Sequence, residues 1–354
     1  MRKPRRIRAL IVGLALSALA GPAAAQAPQI SKPRPAPRTP SEMLPLPPAV
    51  IDNGLDIGGD SINAKKVETR MTVDVMVNRR GPYRFLVDSG ADTSVVGLRI
   101  ARDLQLPLST PVILNGMTAR NIVDRVKVAE LTLGPSTIKD LHLPALREGD
   151  LGGDGMLGID ALVNQRLMMD FETQVIKVED ASKPYRPARD EIVITARRYR
   201  GQLILTEVKA EDLTLDAVID TGSEITIGNS ALKAKLVRKG REKVWTVPTT
   251  GVTGETVNLE LARIPEIRLG SVTLRNVYIA FADVPPFTVF GLAKQPALLL
   301  GTDVLETFRR VQLDFRARKV RFQLRKCGTE SIALSTTPTS SFAHLSGAGE
   351  ACRR

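Results

Sequence analysis

Short apolar segments that alternate with polar residues recur along most of the chain. One region begins ETRMTVDVMVNRRGPYRFLVDSGADTSVVG, and a later one begins RGQLILTEVKAEDLTLDAVIDTGSEITIG. Each contains an apolar strand, a polar turn and a second apolar strand, which is the pattern of a β-hairpin. In both regions the second strand runs into an aspartate, Asp88 or Asp220, that is followed by a hydroxyl residue and a glycine.

The two regions stay similar further along the chain. VAELTLGPSTIKDLHLPAL resembles IPEIRLGSVTLRNVYIAFA, and both patterns predict strands joined by a turn, at Gly134 or Gly270. GMLGIDALVNQRLMMDFETQVIKVE then resembles ALLLGTDVLETFRRVQLDFRARKVRFQL, each with an apolar pair, a glycine, a short helix-like segment and a final hairpin. The chain is therefore an internal duplication, and we expect a mainly β protein with two tandem lobes of similar topology.

The duplication and the composition of the flanking segments predict the domain boundaries. A polar segment with two prolines separates the copies, and polar or proline-rich segments lie outside them. The expected parts are a signal peptide (1–25), a proline-rich disordered spacer (26–64), an N-terminal lobe (65–180), a linker (181–191), a C-terminal lobe (192–325) and a C-terminal tail (326–354).

The first 25 residues have the composition of an export signal. A basic segment, MRKPRRIR, precedes the apolar ALIVGLALSALAG, and small residues then offer a cleavage site after Ala25. The apolar stretch is too short to span a bilayer comfortably, although an uncleaved anchor is the alternative. We expect a periplasmic or secreted protein with no stable membrane span after cleavage.

Charge and cysteine content narrow the classes of function. Removing the five basic residues of the signal lowers the net charge from +12 to +7, and the remaining basic residues are scattered. They accompany no recognisable nucleic-acid module, so we expect no nucleic-acid partner. Cys327 and Cys352 are either one disulfide or two free thiols in an oxidising compartment. Only His142 and His344 are present, so we expect no metal site, no cofactor and no histidine-activated nucleophile.

Two aspartates that end equivalent strands suit hydrolysis by an activated water. Such a reaction needs a base to take a proton from water and an acid to protonate the leaving nitrogen. Two carboxyl groups close together hold one proton between them, because both cannot ionise at short range. Gly90 and Gly222 would let the two loops approach without a Cβ atom. Ser89 and Thr221 would bond the opposite loop's backbone and lock the pair.

The sequence resembles the retropepsin-like aspartic proteases over roughly residues 65–325, in an exported form with both lobes on one chain. VDSGADTSVVG and IDTGSEITIG are similar to the family's catalytic loop, and GMLGID and LLLGTD to its second signature, with Gly158 and Gly301. The resemblance implies two β-barrel lobes in the acid-protease fold, an active site at their interface, and Asp88 and Asp220 as catalytic residues.

The resemblance also implies a flap over the cleft and an extended peptide or protein substrate beneath it. PTTGVTGETVNLEL fits a flap hairpin with Gly251 and Gly254 at its tip, and VILNGMTARNIVDRV fits a second one with Gly116. After the catalytic glycine the lobes differ, with Ala91 in one and Ser223 in the other. We expect the Ser223 hydroxyl to donate to Asp220, which would leave the charge on Asp220 and the proton on Asp88.

The remaining acids are expected to be structural. Asp92 fits a turn facing solvent, and Asp160 and Asp303 fit caps of the short helices that follow them. Asp170 and Asp314 fall in hairpins.

Two alternatives to the single-chain enzyme stay open. A homodimer pairing Asp88 with Asp88 of a second chain is the alternative to a monomer with an intramolecular pair. An inactive peptide-binding module or envelope scaffold of the same fold is the alternative function.

Overall fold

The computed structural model describes most of the two lobes and parts of the flanking segments. The predicted signal peptide (1–25), Cys327 and Cys352 lie outside the described residues. The described residues are 29–37, 60–63, 65–67, 70–134, 136–162, 165–188, 190–237, 243–325, 334–335 and 344–345.

The first half of the chain is built from short strands with three short helices. Apolar and polar residues alternate in several of them, as in β4, because one face of each such strand is buried. The strands are β1 (Arg34–Pro35), β2 (Asp60–Asn63), β3 (Lys65–Val67), β4 (Arg70–Val77), β5 (Arg80–Val87), β6 (Val95–Gly97), β7 (Leu108–Asn115), β8 (Arg120–Leu133), β9 (Ser136–Leu146), β10 (Gly155–Leu157), β11 (Gln165–Asp170) and β12 (Val175–Asp180). The helices are α1 (Leu98–Asp103), α2 (Glu148–Leu151) and α3 (Ile159–Leu162).

The second half repeats this order of elements. Its strands are β13 (Glu191–Tyr199), β14 (Gln202–Ala210), β15 (Leu213–Ile219), β16 (Ile227–Gly228), β17 (Val244–Thr250), β18 (Thr256–Leu269), β19 (Val272–Phe281), β20 (Ala297–Leu300), β21 (Arg310–Asp314) and β22 (Lys319–Gln323), followed by β23 (Leu334–Ser335) and β24 (His344–Leu345) in the tail. Its helices are α4 (Ser230–Leu236), α5 (Pro285–Val289) and α6 (Thr302–Leu305).

Sheet topology confirms two tandem β lobes of the same design. In the first lobe the strand order is β8-β9-β6-β10-β5-β4, and β8 pairs with β4 so that the sheet closes on itself. In the second lobe the order is β18-β19-β16-β20-β15-β14, and β18 pairs with β14. The core is mainly aliphatic, with a few phenylalanines such as Phe85, Phe308 and Phe322. The duplicated pattern of the sequence therefore becomes a duplicated fold.

Strands from both lobes also join in one sheet. β11 of the first lobe pairs antiparallel with β21 of the second, with Arg166 opposite Asp314 and Asp170 opposite Arg310. Arg166 Nε lies 3.1 Å from Asp314 Oδ2, and Arg310 pairs with Asp170 in the same way. The two hairpin acids thus tie the lobes together through reciprocal ion pairs.

The linker between the lobes packs on this shared sheet. The Tyr185 ring lies 4.8 Å from the Arg166 guanidinium and 4.3 Å from that of Arg321. Its hydroxyl donates to Glu191. These contacts help to hold the two lobes in a fixed position relative to each other.

Two described parts of the segment that the sequence predicts to be a disordered spacer contain strands. Residues 29–37 lie along the first lobe, where β1 pairs with β8, and residues 60–63 form β2, which pairs with β12. A proline-rich composition does not exclude a strand, because alternate prolines are compatible with a strand that bonds on one side only. Among the described residues, no helix has the length and apolar character needed to cross a membrane.

Candidate active site

Equivalent strands carry Asp88 and Asp220 to the centre of the molecule. β5 ends at Val87 and β15 ends at Ile219, so each aspartate is the first residue after an apolar strand. The Asp88 amide donates to the carbonyl of Leu157 at 2.9 Å, and the Asp220 amide donates to that of Leu300 at 3.0 Å. β10 and β20 run parallel to β5 and β15, so each catalytic loop is held by the strand of its own second signature.

Ser89 and Thr221 lock the two loops to each other. The Ser89 amide donates to Thr221 Oγ1 at 2.9 Å, and the Thr221 amide donates to Ser89 Oγ at 3.2 Å. Each hydroxyl then donates across the interface to a carbonyl, Ser89 to Ile219 at 2.9 Å and Thr221 to Val87 at 2.8 Å. Both side chains are buried. These four bonds fix the separation and orientation of the aspartates that follow Val87 and Ile219.

Gly90 and Gly222 make room for the opposite carboxyl group. A Cβ atom on Gly90 would lie 2.7 Å from the Asp220 carboxyl, and one on Gly222 would overlap the carboxyl of Asp88. Their amides instead donate within their own loops, Gly90 to Asp88 Oδ1 at 2.7 Å and Gly222 to Asp220 Oδ1 at 3.1 Å. The amides of Ala91 and Ser223 donate to the same two oxygens, each at 3.1 Å.

The two carboxyl groups lie close together, each beside the glycine of the opposite loop, and both have raised pKa values. Burial raises the pKa of Asp88, while the amides of Gly90 and Ala91, the bond from Asp220 and the charge of Arg70 lower it. Burial raises the pKa of Asp220 further, together with the negative charge of Asp88. Because both pKa values are raised, the pair binds a proton more tightly than two isolated aspartates would.

The Ser223 hydroxyl does not do what the sequence predicts. Ser223 Oγ donates to the carbonyl of Ile225 at 2.8 Å, within its own loop, and only its backbone amide reaches Asp220. The hydroxyl contact on which the expected assignment of charge to Asp220 and proton to Asp88 rests is therefore not made, and the assignment itself stays a prediction.

Asp160 holds the second signature of the first lobe against the catalytic loop. Its carboxylate accepts from the Ser94 amide at 2.9 Å and from Ser94 Oγ at 2.7 Å. Ser94 Oγ in turn accepts from the Gly158 amide at 3.0 Å, and the Ile159 amide donates to the Ala91 carbonyl at 2.9 Å. Burial raises the pKa of Asp160.

Asp303 holds the second signature of the second lobe against the loop that contains Asp220. It accepts from the Thr226 amide at 2.9 Å and from Thr226 Oγ1 at 2.7 Å, and that hydroxyl accepts from the Gly301 amide at 3.0 Å. Burial raises the pKa of Asp303 to about 6. The expected helix-capping role is wrong in its main point, because the N-cap of α6 is Gly301 and has no side-chain bond. Asp303 does accept from the Val304 amide, but most of its bonds go to the catalytic loop.

Asp92 lies at the lobe interface and does not face solvent as expected. Gln202 Nε2 donates to Asp92 Oδ1 at 2.6 Å, and Arg200 lies 3.5 Å from Asp92 Oδ2. On the other side of the site Arg70 pairs with Glu224 at 2.7 Å. Each catalytic loop is thus held by a side chain from the other lobe. Four residues of the site do not stand out in the sequence, namely Ser94, Thr226, Arg70 and Glu224. Only a position-by-position alignment of the two copies would single them out.

Two hairpins occupy the positions predicted for the flaps. β7 and β8 enclose Gly116, whose amide donates to the Ala119 carbonyl at 2.9 Å. β17 and β18 enclose Gly251 and Gly254, and the Gly254 amide donates to the Gly251 carbonyl at 2.9 Å. Gly254 has a φ of +82°, a conformation that favours glycine.

The tips of the two flaps meet. A Cβ atom on Gly251 would overlap Thr118 of the first flap, and Asn121 Nδ2 donates to Glu255 Oε1 of the second flap at 2.6 Å. Met117 packs against an apolar cluster of the second lobe that includes Val218. Val252 packs against an apolar cluster of the first lobe. The flap tips therefore contact each other, and each one packs against apolar residues of the opposite lobe.

Residues 73–161 and 206–304 each match the family described as Aspartyl protease. Together the two matches cover more than half of the chain. The chain belongs to the aspartyl protease family. The matched segments of this aspartyl protease contain both catalytic loops and both second signatures. A comparison with curated proteins gave no match.

The described part of this aspartyl protease holds no group of three or more histidine, cysteine or acidic side chains that could bind a metal ion.

Proposed function

We propose that this aspartyl protease is an exported endopeptidase that cleaves peptide bonds with a water activated by Asp88 and Asp220 of one chain. The observation that carries the proposal is the close placement of the two carboxyl groups, which the reciprocal Ser89–Thr221 bonds hold together and whose pKa values burial raises. A pair that shares one proton can serve as base and acid in the same reaction.

The shared proton gives the two carboxyl groups different roles. The one that carries the charge takes a proton from the water, whose oxygen attacks the carbonyl carbon. The one that holds the proton donates a hydrogen bond to the carbonyl oxygen and stabilises the negative charge that develops there. A proton from the pair then passes to the amide nitrogen, the carbon–nitrogen bond breaks, and an acid and an amine are released.

The two flap hairpins support an extended peptide or protein segment as the substrate. A chain lying between the lobes and beneath β7 and β17 would bond through its backbone like an added strand. We propose a monomer, because the Ser89–Thr221 bonds already join two complete half-sites. The net positive charge of +12 over the whole chain is spread along the sequence, and we propose no nucleic-acid partner. The basic and apolar N-terminus supports export to the periplasm or the medium.

Peptide cleavage by residues 26–354 tests the proposal. Wild type, Asp88→Asn and Asp220→Asn are incubated with a diverse peptide mixture between about pH 3 and 7, where a coupled carboxylate pair titrates. Mass spectrometry reads the products with and without a statine-type inhibitor. Inhibitable cleavage by wild type and none by either variant is expected. A folded wild type that binds peptides without cleaving them would replace the proposal with a peptide-binding module.

A further inference from the structure

The proline-rich segment adds a third strand to the first flap. Residues 29–37 run along β8, with Pro35 opposite Asn121 in antiparallel pairing. On the other edge of β8 the same Asn121 lies opposite Leu114 of β7. β8 is therefore the middle strand of the flap at this point, and residues 29–37 are named the arm below.

Three polar contacts hold the arm in this register. The Ala36 amide donates to the Arg120 carbonyl at 2.9 Å, and the Arg120 guanidinium donates to the Pro37 carbonyl. The Ser31 amide donates to Asp124 Oδ2 at 2.7 Å. Backbone and side chain of β8 both contribute, so the arm is bonded along its length.

The spacing of the prolines explains why the arm can be an edge strand. Successive amides in a strand point to opposite sides. Since the Ala36 amide points at β8, the Arg34 amide does too, and Pro33, Pro35 and Pro37 fall where an amide would point away. Proline has no N–H, so the outer edge of the arm offers no donors on that stretch. The alternation gives a strand that bonds to β8 and to nothing beyond it.

The arm backs the residue that joins the two flaps. Asn121 is 1% exposed, and its side-chain amide donates to Glu255 of the second flap. At the other end of the arm Ile30 packs against the buried apolar core. A continuous set of contacts thus runs from the core through the arm and β8 to the second flap.

The second flap has no such support in the part of the chain that the structure describes. β18 has the same length as β8 and pairs with β17 along the flap. Its pairing with β19 begins only at Glu260. The outer edge of Thr256–Leu259 is therefore free of a described strand, and the two flaps of the duplicated fold are unequal.

We propose that the arm is a strap that holds the first flap closed through Asn121, so that the second flap is the one that opens the cleft. The strap is built into the mature N-terminus, since the predicted signal ends at Ala25. Its effect on cleavage rests on the proposed function, whereas its effect on the first flap does not.

Hydrogen exchange tests the strap without any substrate. Ala36→Pro removes the one arm amide observed to donate to Arg120, and Pro35→Ala is the matched control because its amide would point away from β8. In residues 26–354 we expect Ala36→Pro to speed exchange of the amides of 120–124 about fivefold or more, the effect of losing roughly one hydrogen bond. Pro35→Ala should leave the exchange of these amides unchanged. Equal exchange of 120–124 in Ala36→Pro and wild type would overturn the strap.

Peptide cleavage tests what the strap does for access. Deletion of residues 26–37 should raise KM about fivefold, if it loosens the flap by the equivalent of one hydrogen bond, and change kcat less. Asn121→Ala should raise KM similarly, and combining it with the deletion should add little, because both act through one set of contacts. An unchanged KM in the deletion variant would overturn the role in access. If wild type cleaves nothing, the proposed function fails, while the exchange result still decides the strap.

Discussion

The Ser89 amide donates to the Thr221 hydroxyl, and the Thr221 amide donates to the Ser89 hydroxyl. This reciprocal contact joins two lobes that are similar in sequence but not identical. It places the carboxyl groups of Asp88 and Asp220 side by side, where burial raises the pKa of both.

Removing the Thr221 hydroxyl should destabilise the protein and reduce activity. Thr221→Val keeps the shape but leaves the buried amide of Ser89 and the carbonyl of Val87 without their partner. The expected loss in the free energy of unfolding is about 2 kcal/mol or more, the cost of unsatisfied buried groups. Urea unfolding measures it, and Thr221→Ser, which keeps the hydroxyl, is the control. Equal stability of the two variants would contradict this account of the contact.

A methyl group on Gly222 should abolish cleavage. Its Cβ atom would overlap the Asp88 carboxyl, so Gly222→Ala must push the two loops apart. We expect kcat to fall at least about a hundredfold, as for other small displacements of reacting groups. Gly149→Ala is the control, because a Cβ atom there meets nothing within 4 Å. Comparable kcat values for the two variants would show that the close approach of the loops is not needed.

Asp303 should make stability depend on pH in a defined direction. Burial raises its pKa from 3.8 to about 6, so the folded protein binds this proton more tightly than the unfolded chain. Stability from this group is present in full below its unfolded pKa and is lost as the pH rises through about 6. The loss at neutral pH is at most about 3 kcal/mol.

The variant Asp303→Asn removes this titration. The free energy of unfolding of wild type, relative to that of the variant, should fall by up to about 3 kcal/mol between about pH 4 and 7. Urea unfolding of both proteins at each pH measures the change. The change of this free-energy difference with pH is the test, because the asparagine side chain also alters the bonds to Thr226. A difference that stays constant with pH would mean that Asp303 titrates normally.

Arg70 should set the acidic limit of activity. Its charge lowers the pKa of Asp88, and its partner Glu224 is itself negative. Arg70→Gln should raise the pKa of Asp88, so the acidic limb of kcat/KM against pH should move to higher pH. Arg79→Gln is the control, since the Arg79 side chain is 87% exposed and pairs with Glu130. An acidic limb that does not move in Arg70→Gln would mean that Arg70 has no effect on the pKa of Asp88.

The sequence predicts the catalytic pair because the pattern around it is local. An apolar strand, an acid, a hydroxyl residue and a glycine occur within a few residues, and the repeat supplies the second copy. The positions of Asp88, Asp220, Gly158 and Gly301 follow from this repeat together with the resemblance to a known family. The flap hairpins around Gly116 and Gly251 follow from the resemblance to the family.

Contacts that join distant segments could not be predicted in the same way. Asp160 meets Ser94, and Asp92 meets Gln202 of the other lobe, through packing that no local pattern reveals. The Ser223 hydroxyl donates to the backbone carbonyl of Ile225 and not to Asp220 as the sequence predicts. The composition of the proline-rich arm predicts disorder. The alternation of its prolines, by contrast, is compatible with a strand that is bonded on one edge.

The stoichiometry of a tight transition-state analogue tests the central claim most directly. Calorimetric titration of residues 26–354 with a statine-type inhibitor, with the molecular mass measured at the same protein concentration, counts active sites per chain. A site made by Asp88 and Asp220 of one chain predicts one inhibitor per chain and a monomeric mass. One inhibitor per two chains, with a dimeric mass, would contradict it and place Asp88 opposite Asp88 of a second chain.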